Sequence, residues 1–284
     1  MQTESHSGPL PPGLAAELLA FATRFSHSLG AAGRFRVELG PDPSRFFASL
    51  GRPTYFLCRH DGLICGSLAL SLDPKLGSAY LGELKTAPGP QRGRILLSLA
   101  DAAKTWLGEE GIAACHAFVM AGSASPLDYT GRLGLPRMER LLEAGIDLVP
   151  TTPGIPDDGV EEVLLPPDLR AAQRPRLLRC RSASARLLDT WAAKRLYDPS
   201  GREIRRLHLG RLVFESPEDA EDLIRHAASQ AAARSAEGLF LALRPEERRR
   251  LPARLLASWP EPAKYAVYGH GHETWNQSLC SAEV

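Results

Sequence analysis

Residues 79–112 read AYLGELKTAPGPQRGRILLSLADAAKTWLGEEGI. The stretch begins as a strand over residues 78–86 and breaks at the Pro/Gly cluster of residues 87–90. It continues over residues 91–110 with apolar residues at helical spacing, and Gly111 stands where a C-cap glycine belongs. A strand that ends in a breaker cluster and leads into a long helix predicts an α/β fold with a mixed sheet.

The residues before this stretch predict a β-hairpin. Two apolar runs, residues 54–60 and 63–73, flank Asp61-Gly62, a dipeptide that favours a type I′ turn. Further upstream, apolar spacing predicts a helix over residues 14–29, a strand over 35–39 and a short helix over 44–50. The hairpin therefore supplies two strands beside the strand of residues 78–86.

The residues after the long helix predict a buried strand, because residues 112–120 are almost continuously apolar. A loop follows over residues 121–125, and Pro126 opens a short helix that Gly134 stops. One or two more strands are expected over residues 137–149. Strand, long helix, buried strand and short helix is thus the order of the first half.

The polar segment Thr151–Gly159 is the best candidate for a domain linker, since it holds two prolines and two glycines. It divides the chain into predicted domains 1–150 and 151–284. After it the order recurs: a strand over residues 205–214, a helix over 219–237, a strand over 239–244, a helix over 246–258 and a strand over 263–269. The recurrence predicts an internal duplication of architecture.

Composition excludes several classes of protein. The chain has 284 residues, a size that fits two domains, with 44% hydrophobic and 24% charged residues, as in ordinary globular proteins. With 34 basic and 33 acidic side chains, no net field favours nucleic acid or an anionic membrane. Five widely spaced cysteines form no CxxC motif, and the N-terminal residues lack the apolar core of a secretory signal. We expect a cytoplasmic protein with no metal, no nucleic-acid partner and no membrane partner.

The order of elements resembles the GNAT superfamily of acyl-CoA-dependent N-acyltransferases. The resemblance is carried by residues 79–112 and by ACHAFVMAGSASPLDYTGRLGL, residues 114–135. With the hairpin it covers roughly residues 34–150, and the second half is similar to a diverged second copy. The resemblance implies tandem GNAT-like domains, acetyl-CoA or another acyl-CoA as co-substrate, and a small-molecule or peptide amine as acceptor. It also implies a monomer that is a pseudo-dimer, or a homodimer.

The family's phosphate loop implies a binding site at the start of the long helix. Helix N-termini offer unpaired N–H groups and positive potential to a pyrophosphate. Arg92-Gly93 matches the family's Arg-Gly opening, but Ile95 and Leu97 stand where small residues are usual. The expected ligands are Lys85, Gln91, Arg92, Gly93 and Arg94; the alternative is a plain turn with solvated arginines.

The corresponding loop of the second half is acidic. Five carboxylates lie within residues 215–222, where they should repel a pyrophosphate and stabilise a helix N-terminus instead. We expect no CoA site in the second copy.

The resemblance also implies catalytic residues. Direct transfer of an acyl group from a thioester needs an unprotonated amine, a base and a donor to the departing thiolate. Glu83 lies on the strand where the family often places the base, or it is an outward-facing strand residue. The family's tyrosine acid falls at Thr130, so Tyr129 is the candidate acid. His116, on a buried strand, is interpreted as a core histidine.

Two functions from different classes remain open. The first is an N-acyltransferase that uses acetyl-CoA by default and acts on a primary amine by direct attack. The second is a catalytically inactive GNAT-fold protein that binds acyl-CoA or another metabolite as a sensor, or that serves as an interaction module. The basic loop and Glu83 favour the enzyme, whereas the missing loop glycines and the displaced tyrosine favour the second.

Overall fold

The structure of the chain is a computed structural model. The structure describes residues 1–29, 33–73, 77–121, 137–152, 154, 159–272, 277 and 279–283. Its α-helices are α1 (Pro12–Ala22), α2 (Ser44–Ala48), α3 (Arg92–Glu109), α4 (Pro217–Ala233), α5 (Pro245–Arg250) and α6 (Ala253–Leu256).

The strands of the first half are β1 (Gln2–Ser7), β2 (His27–Ser28), β3 (Arg34–Leu39), β4 (Arg52–His60), β5 (Leu63–Asp73), β6 (Ser78–Thr86), β7 (Ala114–Met120) and β8 (Glu139–Pro150). Those of the second half are β9 (Glu161–Leu164), β10 (Arg176–Cys180), β11 (Ala183–Leu188), β12 (Lys194–Tyr197), β13 (Leu207–Val213), β14 (Gly238–Leu243) and β15 (Ala263–His270). A 3₁₀ turn follows at Ser281–Glu283.

Twelve of these strands form one sheet in the order β1-β4-β5-β6-β7-β15-β8-β14-β13-β11-β10-β9. Read inward from its two ends, the sheet repeats one pattern. In each half a parallel pair, β6 with β7 and β13 with β14, is flanked by antiparallel strands. The innermost strands are exchanged: β15 pairs with β7 and β8 pairs with β14. Each half is thus completed by the last strand of the other.

The two faces of the sheet carry different layers. Along β4 successive side chains alternate, as strand geometry requires: Phe56 and Cys58 pack beneath α3, whereas Tyr55 and Leu57 pack against α1 and α2. In the second half α4 covers the face equivalent to that under α3. The opposite face is covered at its centre by a small sheet in the order β12-β3-β2. Because β12 pairs with β3, this small sheet joins the halves.

Several elements agree with the sequence expectations, and others differ for identifiable reasons. The hairpin turns at Asp61-Gly62, and Ile95, Leu99, Ala103 and Trp106 form the buried stripe of α3. The helix expected over residues 14–29 ends at Ala22, and residues 27–28 form β2 instead. The helix expected over residues 246–258 is divided into α5 and α6, because Pro252 lacks an N–H and disrupts the helix.

The structure also contains strands that periodicity did not indicate. β1 forms from the polar N-terminal residues, and β9 to β12 form between residues 161 and 197. The expected short helix after Pro126 lies outside the described residues. The boundary near residue 150 stays a prediction, with β8 on its N-terminal side paired to β14 on its C-terminal side. Within the part of the chain that the structure describes, no helix is long and apolar enough to cross a membrane.

Candidate functional site

The first half contains a cleft between β6 and β7. Their parallel pairing runs from Ser78↔Ala114 to Leu81↔Ala117. β6 continues to Thr86 and β7 to Met120, and no further pair joins these described residues. Two parallel strands that stop pairing while both continue leave a gap between their carboxyl ends.

A β-bulge marks the point where the cleft opens. The register between β5 and β6 shifts between Ser67 and Ala69, and Glu83 adopts a positive φ of 55°. A non-glycine residue in this region is uncommon and costs backbone energy, so it persists only where its surroundings hold it. Here the Ser67 hydroxyl donates to the Glu83 carbonyl over 3.0 Å. The predicted base is therefore the residue at the bulge.

Glu83 forms a buried ion pair with Lys85. The Lys85 ammonium donates to Glu83 Oε2, and the two side chains are 4% and 18% exposed, respectively. Burial by itself would raise the pKa of Glu83, but the adjacent Lys85 charge and hydrogen bond outweigh it and hold that pKa below its usual range. The carboxyl is thus ionised at neutral pH.

Three further side chains, those of His27, Lys194 and Tyr55, interact electrostatically with this pair. Burial, together with the Lys85 charge, lowers the pKa of His27 to about 4, so His27 is neutral. Burial lowers the pKa of Lys194 to about 8, although the Glu83 charge opposes the shift. Burial and then the charge of Glu83 raise the pKa of Tyr55. These residues come from β2, β12 and β4, so both halves contribute to the environment of Glu83.

The start of α3 is basic and uncapped. Gln91 occupies the N-cap position without a side-chain cap hydrogen bond, and the first turn carries no acidic residue. Arg92, Gly93 and Arg94 are exposed. A side chain added at Gly93 would meet only open space, so the backbone is accessible there. This arrangement fits an anion such as a pyrophosphate.

The predicted phosphate ligands lie in two separate places. Gln91, Arg92, Gly93 and Arg94 lie together at the start of α3, where Arg92 also donates to Thr86 Oγ1 over 3.2 Å. Lys85 is buried beside Glu83, so its ammonium stands in the neighbourhood of the predicted base. The role of all five residues as phosphate ligands stays a prediction.

The predicted acid is Tyr129. Tyr129 lies outside the described residues, as do Thr130 and Gly134, and its role also stays a prediction. His116 is 8% exposed and receives or donates a hydrogen bond with Ser78, while burial lowers its pKa to about 4. Among the described residues, no group of three or more His, Cys, Asp or Glu side chains is arranged to hold a metal.

The second half repeats the cleft at backbone level. Pairing of β13 with β14 ends at Leu209↔Leu241, the register between β11 and β13 shifts beside the same point, and Arg211 has a φ of 57°. Structural equivalence aligns Leu-Gly-Glu-Leu at residues 81–84 with Leu-Gly-Arg-Leu at residues 209–212. This short repeat was the sequence signal for the second bulge, and sequence reasoning missed it.

The start of α4 differs from that of α3. Ser216 caps the helix by accepting from the Asp219 N–H, and Glu218 and Asp219 lie in its first turn. Asp219 accepts further hydrogen bonds from the Ser182 N–H and hydroxyl. Capping and negative charge leave this helix start without the features that favour a phosphate.

Two solved structures share this architecture over most of the chain. A tandem GNAT protein from the clavulanic acid biosynthesis pathway is 14% identical, with a TM-score of 0.56, over 94% of this chain and 98% of its own. The Saccharomyces cerevisiae N-myristoyltransferase with bound myristoyl-CoA is 8% identical, with a TM-score of 0.60, over 94% of this chain and 82% of its own.

The chain has the tandem GNAT fold. At these identities the likeness establishes the fold alone, and it confirms the predicted resemblance and fold class. No protein-family model and no curated protein sequence matches the chain. Within the GNAT fold, the cleft between β6 and β7 is the candidate site.

Sequence reasoning missed His27 and Lys194 as neighbours of Glu83. Both residues belong to the small sheet, in which β12 lies more than 150 residues from β2 and β3 in the chain. No local motif marks either residue.

Proposed function

We propose that the protein is an acyl-CoA-dependent N-acyltransferase whose reaction takes place in the first cleft, with acetyl-CoA as the default donor and a primary amine as acceptor. One observation carries the proposal. The opening between β6 and β7, with Glu83 at its bulge, occurs together with a basic, uncapped α3 N-terminus in the same half. The second half has the opening without the basic helix start.

The start of α3 would hold the pyrophosphate of the donor. Its first-turn N–H groups and the guanidinium groups of Arg92 and Arg94 supply charge-assisted hydrogen bonds. The pantetheine arm would then extend towards the gap between β6 and β7. The thioester carbonyl would lie beside the Glu83 bulge, where the family resemblance implies a backbone N–H that polarises it.

The reaction is a direct transfer. The amine nitrogen bonds to the thioester carbonyl carbon, the carbon–sulfur bond breaks with its electron pair going to sulfur, and the nitrogen loses one proton. Glu83, ionised and buried, accepts that proton directly or through one water. The thiolate takes up a proton as CoA leaves. Products are the amide and CoA thiol.

Lys85 has a defined part in this scheme. Its ammonium keeps Glu83 charged and oriented, at the cost of reducing the basicity of the carboxylate. Activity should therefore depend on pH mainly through the acceptor amine, which must be unprotonated, because Glu83 remains ionised down to acidic pH.

The same ion pair favours a second candidate function, an inactive acyl-CoA-binding sensor or interaction protein. A carboxylate that an ammonium already neutralises is a weak base. The donor site at α3 does not depend on this pair, so binding without turnover is chemically consistent with the structure.

A two-step experiment separates the candidates. Thermal shifts are measured with acetyl-CoA and with free CoA, and release of CoA thiol is then followed with a panel of small-molecule and peptide amines. The enzyme proposal expects stabilisation by both ligands and acceptor-dependent thiol release. Stabilisation without release for every amine supports the sensor. No stabilisation by either ligand overturns the enzyme and the acyl-CoA sensor and leaves the interaction protein.

A further inference from the structure

The second cleft contacts a segment of this same chain. Residues 279–282, here called the plug segment, are all buried: Leu279 is 5% exposed, Cys280 7%, Ser281 3% and Ala282 0%. They lie against β13 and β14 where the pairing of those strands ends. Its last two residues, Ser281 and Ala282, belong to the 3₁₀ turn.

The plug segment uses the backbone group that the bulge exposes. The Arg211 N–H, at the positive-φ residue, donates to the Leu279 carbonyl over 2.8 Å. In the first copy the equivalent bulge is at Glu83, where the proposed thioester carbonyl lies. An internal carbonyl thus occupies in the second copy the position that a thioester carbonyl would take.

Ser281 anchors the plug segment to both strands. Its hydroxyl donates to the Phe240 carbonyl of β14 over 3.2 Å and is 3.0 Å from His208 Nδ1 of β13. Burial holds the pKa of His208 well below its usual range, so the ring is neutral and its Nδ1–H can donate to the Ser281 oxygen. Both partners of Ser281 are buried, which protects these bonds from water.

Gly210 makes the close approach possible. A Cβ built at this residue would stand 2.6 Å from Cys280 Sγ, closer than real Cβ contacts come, and 3.1 Å from Cys280 Cβ, which is a tight contact. The backbone of Gly210 does not need a positive φ. The glycine is therefore required by the plug segment and not by the conformation of β13.

The plug segment also reaches a neighbour of the first site. Lys194 Nζ donates to the Ala282 carbonyl over 3.4 Å and lies 5.4 Å from the centre of the Phe46 ring. The Lys194 charge in turn acts on Glu83. Contacts therefore run from the second cleft through Ala282 to Lys194 and Phe46, and the Lys194 charge acts on Glu83.

We propose that the second cleft is a binding site for the chain's own plug segment, which takes the place of the acyl thioester there, and that this docking positions the Lys194 ammonium. The protein then binds one acyl-CoA per chain. Lys194 is a positioning residue, since it acts through Glu83. The statement that the first cleft binds the acyl thioester rests on the proposed function. The statement that the plug segment occupies the second cleft does not.

The test compares Gly210→Ala with the double variant Gly210→Ala/Cys280→Ala, with Cys280→Ala alone as control. Gly210→Ala should displace the plug segment, and removal of Sγ should relieve the closest clash, leaving tight contacts of 3.1 Å to Cβ and 3.3 Å to Cα of residue 280. Amide hydrogen exchange at Arg211 is the first readout. We expect exchange at least about 10-fold faster in Gly210→Ala and within about 3-fold of the wild type in the other two variants.

The second readout is the carboxyl pKa of Glu83, followed by ¹³C NMR titration. Its charged neighbours are Lys85 on β6, Lys194 on β12 and, when protonated, His27 on β2; Tyr55 on β4 is a neutral neighbour. Loss of the nearby Lys194 charge should raise the Glu83 pKa. We expect this rise in Lys194→Met and in Gly210→Ala. In Lys194→Arg, which keeps the charge, and in the double variant, we expect the Glu83 pKa of the wild type.

Neither readout requires turnover, so the assignment can fail separately from the proposed function. An unprotected Arg211 amide in the wild type, or two acetyl-CoA molecules bound per chain by calorimetry, overturns the plug. An unchanged Glu83 pKa in both Lys194→Met and Gly210→Ala overturns the positioning of Glu83. If Gly210→Ala does not fold, Ser281→Ala replaces it, because that variant loses both anchoring hydrogen bonds without adding volume.

Discussion

The two halves of the sheet share one backbone and differ in what their clefts hold. Each has a parallel strand pair that stops early and a bulge residue with φ near 55°. In the first half the bulge residue is Glu83, paired with Lys85, and the adjoining helix starts with exposed arginines. In the second the bulge residue is Arg211, the helix start is capped and acidic, and a segment of the chain contacts the bulge amide.

On the proposed assignment, the bulge and the open strand pair do not by themselves make an acyl-CoA site. The same hydrogen-bonding geometry serves a proposed substrate in one half and an internal carbonyl in the other. Side chains at the helix start determine whether a phosphate is favoured. The glycine before the bulge residue is present in both halves, as Gly82 and Gly210, so the occupant of the second cleft depends on where the plug segment lies.

The largest effect is expected when the bulge residues of the two halves are changed in parallel. Glu83→Gln retains the shape and an acceptor for Lys85 but removes the base, so the turnover number should fall by about 10²–10⁴-fold. Arg211→Gln makes a similar change at the equivalent, exposed bulge residue and should leave turnover within about 2-fold. Steady-state thiol release measures both variants.

Affinity for acetyl-CoA should stay within about 3-fold in Glu83→Gln, because Glu83 does not lie at the phosphate site. Full activity in this variant would reassign the base to water or another side chain. An equal loss in Arg211→Gln would show that the halves are not functionally distinct.

The next effect concerns the two helix starts. Arg92→Ala/Arg94→Ala removes two charge-assisted contacts, each worth roughly 1.5–3 kcal/mol, so the Kd for acetyl-CoA should rise by about two orders of magnitude or more. Glu218→Ala, at the exposed first turn of α4, should leave the Kd unchanged. Isothermal calorimetry checks both. A rise of less than threefold in the double variant would place the ligand elsewhere.

A pH effect is expected from two buried histidines in equivalent aromatic pairs, His116 beside Tyr80 and His208 beside Phe240. Burial lowers the pKa of His116 to about 4, whereas the unfolded chain binds that proton near pH 6.5. The free energy of unfolding should therefore decrease by about 3 kcal/mol from this residue as the pH falls from 6.5 to 4. Burial also holds the pKa of His208 well below its ordinary value, so His208 contributes a decrease of the same sign as the pH falls.

Urea denaturation at several pH values measures these slopes. His116→Asn should flatten the profile between pH 6.5 and 4, and His60→Asn, a change at an exposed histidine, provides the control. An unchanged profile in His116→Asn would contradict the burial of a neutral imidazole there.

The smallest effect compares the helix caps. Ser216→Ala removes the side chain that accepts from the Asp219 N–H and should lower the free energy of unfolding by about 1 kcal/mol. Gln91→Ala should change it by less than about 0.5 kcal/mol, because Gln91 makes no cap hydrogen bond. Equal losses in the two variants would contradict the difference between a capped and an open helix start.

The sequence by itself determined the local elements and some of their chemistry. The hairpin at Asp61-Gly62, the strand, breaker and helix of residues 78–110, and the acidic start of α4 follow from periodicity, turn residues and charge close together in the chain. These signals were sufficient to predict the tandem GNAT fold. They also brought Arg92 and Arg94 to one helix start, since neighbours in sequence are neighbours there.

Only the tertiary structure decided which distant groups meet. The exchange of β8 and β15, the arrival of His27 and Lys194 near Glu83, and the docking of residues 279–282 on β13 and β14 join segments far apart in the chain. Pairing over such separations depends on how all the apolar faces are buried together, and no local pattern records it. The positive φ of Glu83 has the same origin, because the bulge depends on its register with β5. Likewise, a lysine two residues from a glutamate on a strand becomes its ion-pair partner only when that bulge and the surrounding burial turn Lys85 inward.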